Sequence, residues 1–381
     1  MSPSRIRLGM VGGGEGAFIG AVHRIAARLD GRFELVAGAL SADPDRARRS
    51  GDALGLAPAR SYASFQEMAD AGAARADGVQ AVAIVTPNHL HAGPAEAFLA
   101  KGVHVICDKP LTATLAEAQH LAAAARAADA LFVLTHTYAG YPMVRQARAM
   151  VAEGALGTIR VVQVEYAQGW LASALEAAGQ KQASWRTDPE RSGAGGCVGD
   201  IGTHAMHLAR FVSGLKPAAL ACDLSSFVAG RRLDDDVRVL LRFEGGARGM
   251  LWSSQVAIGC ENGLRLRVFG DRGGLDWQQE TPERLIFTAL GEPPRHLVRG
   301  GPGADDEARR LSRVPAGHPE GYLEAFANLY GDAADAIHAH AEGRAGDAGA
   351  NLPGISDGLD GMVFIDACVR SSAQDAAWVR L

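Results

Sequence analysis

The stretch Ile6-Arg7-Leu8-Gly9-Met10-Val11-Gly12-Gly13-Gly14-Glu15-Gly16-Ala17-Phe18-Ile19-Gly20 decides the fold. Ile6–Val11 is an apolar run of strand length, the middle is glycine-rich, and from Phe18 to about Leu29 an Ala-rich segment reads as a helix. Strand, glycine turn and helix in that order open a dinucleotide-binding α/β domain. The glycines let the backbone approach a pyrophosphate, and the helix N-terminus attracts its charge. Gly12, Gly14 and Gly16 are the candidates for this contact, in a loop longer than the usual G-x-G-x-x-G. A lone glycine motif is weak; its place between a strand and a helix makes it strong.

Outward from that loop, two periods alternate over the first ~140 residues. Apolar strands are expected at Phe33–Leu40, Val79–Val85, Val103–Cys107 and Leu131–Leu134. Between them lie helix starts: Asp43-Pro44, Ser64-x-x-Glu67, Pro94 in the first turn of a helix ending near Gly102, and Thr114-x-x-Glu117. Continuous Val/Ile/Leu runs between helices mean parallel strands buried on both faces, hence a doubly wound Rossmann sheet over residues 1–141. After Tyr141 the texture changes. Pro142–Glu153 and Thr203 to Val212 read as helices. Arg160–Tyr166, Ala218–Phe227, Val237–Phe243, Ala247–Gln255 and Leu264–Phe269 alternate like half-buried strands with Gly-containing turns. Residues 142–381 are therefore expected to form one α+β domain with a large, mostly antiparallel open sheet. One sheet face is covered and the other is free for a partner subunit, so a homodimer or homotetramer through that sheet is expected. Residues 290–317 read as a long loop and Asp357–Ser372 as a final helix.

Bulk properties exclude several classes of function. Lys plus Arg is 38 against 43 Asp plus Glu, a net charge of −5, so no basic excess exists to neutralise nucleic-acid phosphates. The five cysteines, 107, 197, 222, 260 and 368, show no zinc spacing and no disulfide framework. Neither a signal peptide nor a membrane span is evident, which points to the cytoplasm.

Chemistry-bearing residues gather where open α/β sheets place their ligands. They are Thr86-Pro87-Asn88-His89-Leu90-His91, Cys107-Asp108-Lys109-Pro110 and Gly199-Asp200-Ile201-Gly202-Thr203-His204. Oxidising a secondary alcohol requires a base for the hydroxyl proton while hydride passes to nicotinamide C4. A lysine beside a positively charged nicotinamide gives up its proton more readily, so Lys109 would be that base or would polarise the hydroxyl. Asp200 and His204, four residues apart, share one face of a helix; His204 would exchange the proton and Asp200 would orient the substrate. Ser41 stands where an acidic residue normally holds the ribose 2′-OH. No Arg or Lys follows at once, and Arg46 is one helical turn away, which favours NAD with NADP as the alternative. Asp200-x-x-x-His204-x-x-His207 lacks further ligands at metal spacing, so no metal is expected. His207 reads as a packed helix residue, and Asp234-Asp235-Asp236 as a solvated turn.

These segments resemble the Gfo/Idh/MocA family (glucose–fructose oxidoreductase, inositol dehydrogenase and relatives) over essentially the whole chain. The glycine loop, Thr-Pro-Asn-His, Trp185-Arg186, the Gly-Gly-x-x-x-Asp-x-x-x-His run and Leu-Arg-Phe at 241–243 carry it. Its specific part is the Lys-Pro dipeptide with Asp-x-x-x-His, although many members have Glu-Lys-Pro where this chain has Asp-Lys-Pro. The resemblance implies an NAD(P)-dependent dehydrogenase acting on a ring hydroxyl of a sugar, anhydrosugar, glycoside or inositol, with acid–base work divided between Lys109 and His204. It implies that Asn88 and His91 border the nicotinamide ribose and that Trp185 and Arg186 approach the cofactor. Tyr138 and Tyr141 line the sugar pocket in this view, and Trp170, Gln255 and His318 are weaker candidates for substrate contact. Two rivals stand beside it: an NAD-retaining glycosidase or lyase working through a transient 3-keto sugar, and a non-catalytic sugar or nucleotide sensor.

Overall fold

The computed structural model describes residues 4–344 and 349–381. In chain order the elements begin β1 (Ile6–Gly12), α1 (Phe18–Leu29), β2 (Phe33–Ala39), α2 (Pro44–Ala53), α3 (Phe65–Ala73), β3 (Ala81–Val85), α4 (Ala92–Leu99), β4 (His104–Cys107), α5 (Leu115–Ala127) and β5 (Phe132–Leu134). Then come α6 (Pro142–Ala152), β6 (Ile159–Ala167), α7 (Lys181–Arg186), α8 (Pro189–Ser192), α9 (Thr203–Ser213), β7 (Pro217–Ser225), β8 (Asp236–Phe243) and β9 (Arg248–Ser254). The chain closes with β10 (Gly263–Gly270), β11 (Gly273–Gln278), β12 (Arg284–Ala289), β13 (Arg295–Val298), α10 (Asp306–Arg310), α11 (Tyr322–Ala341), α12 (Ile355–Ser372) and β14 (Val379–Arg380).

Two compact units result: Met1–Thr137 with Tyr322–Leu359, and Tyr138–Gly321 with Asp360–Leu381. The first holds a five-stranded parallel sheet in the order β2-β1-β3-β4-β5. β3 and β4 are buried at every residue, as strands covered on both faces must be. The helix starts read from sequence form as expected. Asp43 accepts from Arg46 N–H at 2.7 Å, Ser64 from Glu67 N–H, and Thr114 with Glu117 closes a capping box. Strand order reverses between β1 and β3, which puts the sheet's ligand crevice outside their carboxyl ends.

The expected boundary at 141, with everything after it in one domain, needs correction. Tyr322–Leu359 returns to the first unit, because Phe326, Tyr330, Ala333, Ala334 and Ile337 of α11 share a core with Ile6, Leu8, Met10, Val22 and Phe33. α11 lies where the sequence reading has no element. It is Ala-rich and buried around most of its circumference, so it shows little of the apolar stripe that betrays a surface helix.

In the second unit nine strands form one sheet in the order β13-β12-β11-β10-β6-β9-β8-β7-β14, antiparallel except for β6 beside β9. Inward residues such as Val237, Val239, Leu241 and Phe243 alternate with outward Arg238, Leu240 and Arg242. The segment expected to be a long loop, 290–317, contains β13 and α10. It is pinned by buried Arg299, which bonds Glu283 at 2.7 Å and Glu320 at 3.0 Å and donates to the carbonyl oxygens of Val314 and His318.

Candidate active site

In the first unit the glycine loop joins β1 to α1. Gly12 and Gly13 hold φ of +79° and +73°, the left-handed region that side chains disfavour. A Cβ on Gly20 would lie 2.4 Å from Gly13 Cα, so the first turn of α1 packs backbone against backbone on the loop. Gly13 and Gly20 are therefore the close-approach pair that the choice of Gly12, Gly14 and Gly16 leaves out; the signal was the final glycine of the fingerprint. Gly14 donates to Leu40 O at 3.2 Å and Glu15 N–H to Ser50 Oγ at 3.0 Å, which ties the lengthened loop to α2. Gly13–Phe18 with Arg24, Arg49, Ser50, Ala53 and Leu54 line a cleft of about 670 Å³. Just past β2, Ser41 Oγ accepts from Asp43 N–H at 3.1 Å, so that strand end presents a hydroxyl in place of a carboxylate.

Thr86 follows β3, and its methyl lies against Gly12 at the point where strand order reverses. Its hydroxyl donates to Leu90 O at 3.0 Å, closing the short turn that contains buried Asn88. His91, expected beside the cofactor ribose, is instead 1% exposed. Its Nδ1 is 2.8 Å from Pro110 O and its Nε2 2.8 Å from Thr86 O. The imidazole thus ties the turn after β3 to the Lys109-Pro110 turn after β4. Burial pushes its pKa down, while Asp108 and the carbonyls push back. Asp108 accepts from Lys109 N–H and Thr135 Oγ1, each at 3.0 Å, which sets the backbone from which Lys109 departs.

In the second unit Asp200 and His204 leave from one feature. Val198–Gly202 forms a wide π turn, in which Thr203 N–H reaches back to Val198 O, and it runs directly into α9. Such insertions re-aim side chains at a helix start. Asp200 Oδ2 accepts from Arg186 Nε at 3.2 Å and Gln255 Nε2 at 2.9 Å. The Arg186 guanidinium lies 4.2 Å from the Trp185 ring centroid and also donates to Gln182. Trp185 and Arg186 are expected from sequence to approach the cofactor; within this unit Arg186 is committed to Asp200. Gln255, a weak substrate candidate, likewise holds Asp200. The His204 ring stands edge-on to Tyr138, with centroids 4.9 Å apart, and 6.3 Å from Tyr166.

The remaining candidates separate. Trp170 donates to Gln168 at 3.0 Å. Tyr141 is fully buried against Trp277, with its hydroxyl accepting from Gln279, which makes it a core residue and not the pocket lining expected. His318 has an exposed ring that stays within its own loop, 3.3 Å from Pro315 O, and no contact joins it to the Asp200–His204 group. His207 is buried and stacked on Phe211, and burial beside Arg210, Arg148 and Arg145 lowers its pKa to about 3.

The acidic triplet contradicts the expected solvated turn. Asp234, Asp235 and Asp236 are all buried. Asp234 accepts from Gly196 N–H and Val198 N–H, each at 2.7 Å, and so holds the turn that launches Asp200 and His204. Burial raises its pKa to about 6, against the lowering pull of those donors. Asp235 pairs with fully buried Arg231 at 3.1 Å, and Arg231 in turn holds Glu176. Backbone donors waiting across the fold drew these carboxylates inward, and no local pattern reveals such donors.

With this geometry in place, comparison with known proteins is informative. The family described as "Oxidoreductase family, NAD-binding Rossmann fold" matches residues 6–136, and the "GFO/IDH/MocA C-terminal domain" matches residues 144–276. A solved oxidoreductase from Sinorhizobium meliloti is 55% identical over 99% of this chain and 100% of its own, with a TM-score of 0.91. An inositol dehydrogenase homologue from Azotobacter vinelandii, solved with NADH and myo-inositol, is 39% identical over 99% of this chain and 98% of its own, with a TM-score of 0.92. Levoglucosan dehydrogenase of Pseudarthrobacter phenanthrenivorans is 27% identical over 98% of this chain and 97% of its own. The chain belongs to the Gfo/Idh/MocA family: it is an oxidoreductase with that family's NAD-binding Rossmann fold. Among the described residues no helix is long and apolar enough to cross a membrane, and no group of three or more His, Cys, Asp or Glu is placed to hold a metal ion.

Proposed function

We propose that this protein is an NAD-dependent dehydrogenase of a secondary ring hydroxyl, with a cyclitol of the inositol type as the leading substrate class and pyranoses or anhydrosugars next. The observation that carries this reading is the π turn bearing Asp200 and His204, with Asp200 held by Arg186 and Gln255 and His204 set against Tyr138. Supporting it, the inositol dehydrogenase homologue is more similar to this chain than the levoglucosan enzyme is.

The residues of the first unit suit the dinucleotide. The Gly13–Gly20 contact brings the α1 N-terminus onto a backbone that a single Cβ would obstruct, so its N–H groups can receive a pyrophosphate. Gly12, Gly14, Gly16, Ser41, Thr86 and Asn88 are the further holding residues. Bound there, NAD supplies the hydride acceptor. The chain supplies the rest: His204 takes up the hydroxyl proton, Lys109 polarises the same hydroxyl and shares the acid–base work, and Asp200 accepts from a neighbouring ring hydroxyl. The alcohol loses one hydride to NAD and one proton to the protein, leaving a ketone.

A second copy of the chain is the proposed cover for the outward sheet face. There Phe269 and Val161 form one row and Leu240 and Met250 the next, with Trp252 beside them, all at least a third exposed. The five free cysteines suit a reducing compartment such as the cytoplasm.

The test is a panel of inositols, pyranoses, anhydrosugars and glycosides with NAD and with NADP, followed by NADH or NADPH absorbance. Reduction with a cyclitol supports the reading. Glycoside cleavage without net NADH would replace it with the hydrolase or lyase.

A further inference from the structure

One side chain outside all the motifs governs the surroundings of His204. Asn262 lies just before β10 and carries two acceptor and two donor positions. Its Oδ1 accepts from Tyr166 Oη at 2.7 Å and Gln168 Nε2 at 2.8 Å. Its Nδ2 donates to Gln279 Oε1 at 2.8 Å and Tyr138 Oη at 3.4 Å. Every hydrogen-bonding position of the amide is thus in use.

That saturation fixes the direction of the chain. Tyr166 spends its hydroxyl hydrogen on Asn262, so in the Tyr138–Tyr166 hydroxyl contact Tyr138 must be the donor. The neighbouring amides extend the same control, since Gln168 receives the Trp170 indole N–H and Gln279 donates to the Tyr141 hydroxyl. Two of the rings so held, Tyr138 and Tyr166, flank the His204 imidazole. Helix α9 sets where His204 begins; the direction its ring faces depends on what packs against it.

We propose that Asn262 is a positioning residue: it anchors Tyr138 and Tyr166 and through their rings sets the plane of the His204 imidazole. The inference rests on the role given to His204 above. A proton acceptor must point at the hydroxyl it serves, and a misplacement of about 1 Å is worth about a hundredfold in rate. Asn262→Leu removes all four bonds in a side chain of similar size, and Asn262→Asp keeps the two acceptor bonds while losing the two donor bonds.

The test has two arms. In the first, full-length protein labelled in its histidine rings is studied by NMR, with the His204 signal assigned by its loss in His204→Gln. Asn262→Leu is expected to move and broaden that signal as Tyr138→Leu does, with the exposed His318 signal unmoved; Asn262→Asp should give a smaller shift. In the second arm, kcat is expected to fall about tenfold to a hundredfold in Asn262→Leu, with NADH affinity, read by fluorescence titration, within about twofold. An unmoved His204 signal, or unchanged kcat in an active enzyme, overturns the proposal. If Asn262→Leu fails to fold, Asn262→Asp decides by the same readouts. Should the wild type oxidise no member of the panel, the dehydrogenase reading fails while the NMR arm still decides the role of Asn262.

Discussion

The glycine loop of the first unit and the π turn of the second both launch a helix, yet they are held by opposite means. The loop is built from backbone, and its key contact joins Gly13 to Gly20, a few residues apart in sequence. The turn is built from distant side chains: Asp234 grips Gly196 and Val198, and Gln255 and Arg186 grip Asp200. The first arrangement depends on the absence of a side chain and the second on the presence of particular ones. A backbone site therefore suits a ligand recognised through phosphates, whereas a side-chain site can be retuned for one ring after another.

The comparison breaks most openly where each site does its work. His204→Ala should lower kcat by about a hundredfold to ten-thousandfold, the usual worth of a positioned acid–base group, while NADH still binds. Parallel loss of NADH affinity would show that the two sites are not separable in this way. Gly20→Val should do the reverse. Its Cβ meets backbone that cannot give way, and overpacking of this kind costs about 1–3 kcal/mol, so NADH titration should show weakened binding and calorimetry a lower Tm.

The grip of Asp234 can be tested by pH. Its carboxyl, raised to about 6 from an unfolded value near 3.8, contributes stability that is fully present below the unfolded value and lost as pH rises through about 6. His23 and His207 act in the opposite sense. Burial lowers them to about 4 and about 3, so the stability they contribute is present above 6.5 and declines as pH falls towards those values. Tm should accordingly fall on acidification below 6.5. In Asp234→Asn, which has no carboxyl to take up a compensating proton, it should fall more steeply. Parallel Tm profiles for the two proteins would remove Asp234 from the account.

The smallest effect is expected at the end of β2. Ser41→Asp restores a carboxylate against the 2′-position, and any NADP use by the wild type should drop about tenfold while NAD use changes little. Equal loss with both cofactors would place the adenosine ribose elsewhere.

Much of the fold is legible in local sequence. β1 through β5 and the three helix caps follow from apolar runs and from capping residues beside the elements they serve. Lys109, Asp200 and His204 are marked by motif and by four-residue spacing. The misreadings share one cause. His91 reads as a ligand because it stands beside a strand end, yet the two carbonyls that take its nitrogens belong to different turns. Asp234, Asp235 and Asp236 read as solvated because a run of three acids usually is. Buried partners take two of them: backbone N–H groups for Asp234 and Asp235, and the guanidinium of Arg231 for Asp235. α11 lacks a polar stripe because it ends up surrounded.

By itself the sequence determined the Rossmann order, the glycine loop, the family and the candidate trio of Lys109, Asp200 and His204, all of which depend on neighbours within one turn or on a matching motif. Tertiary structure alone decided that α11 completes the first core, that Asp234 holds the π turn and that Asn262 gathers the aromatic rings around His204. Those partners lie tens to hundreds of residues apart along the chain, and a hydrogen bond over that separation leaves no periodicity to read.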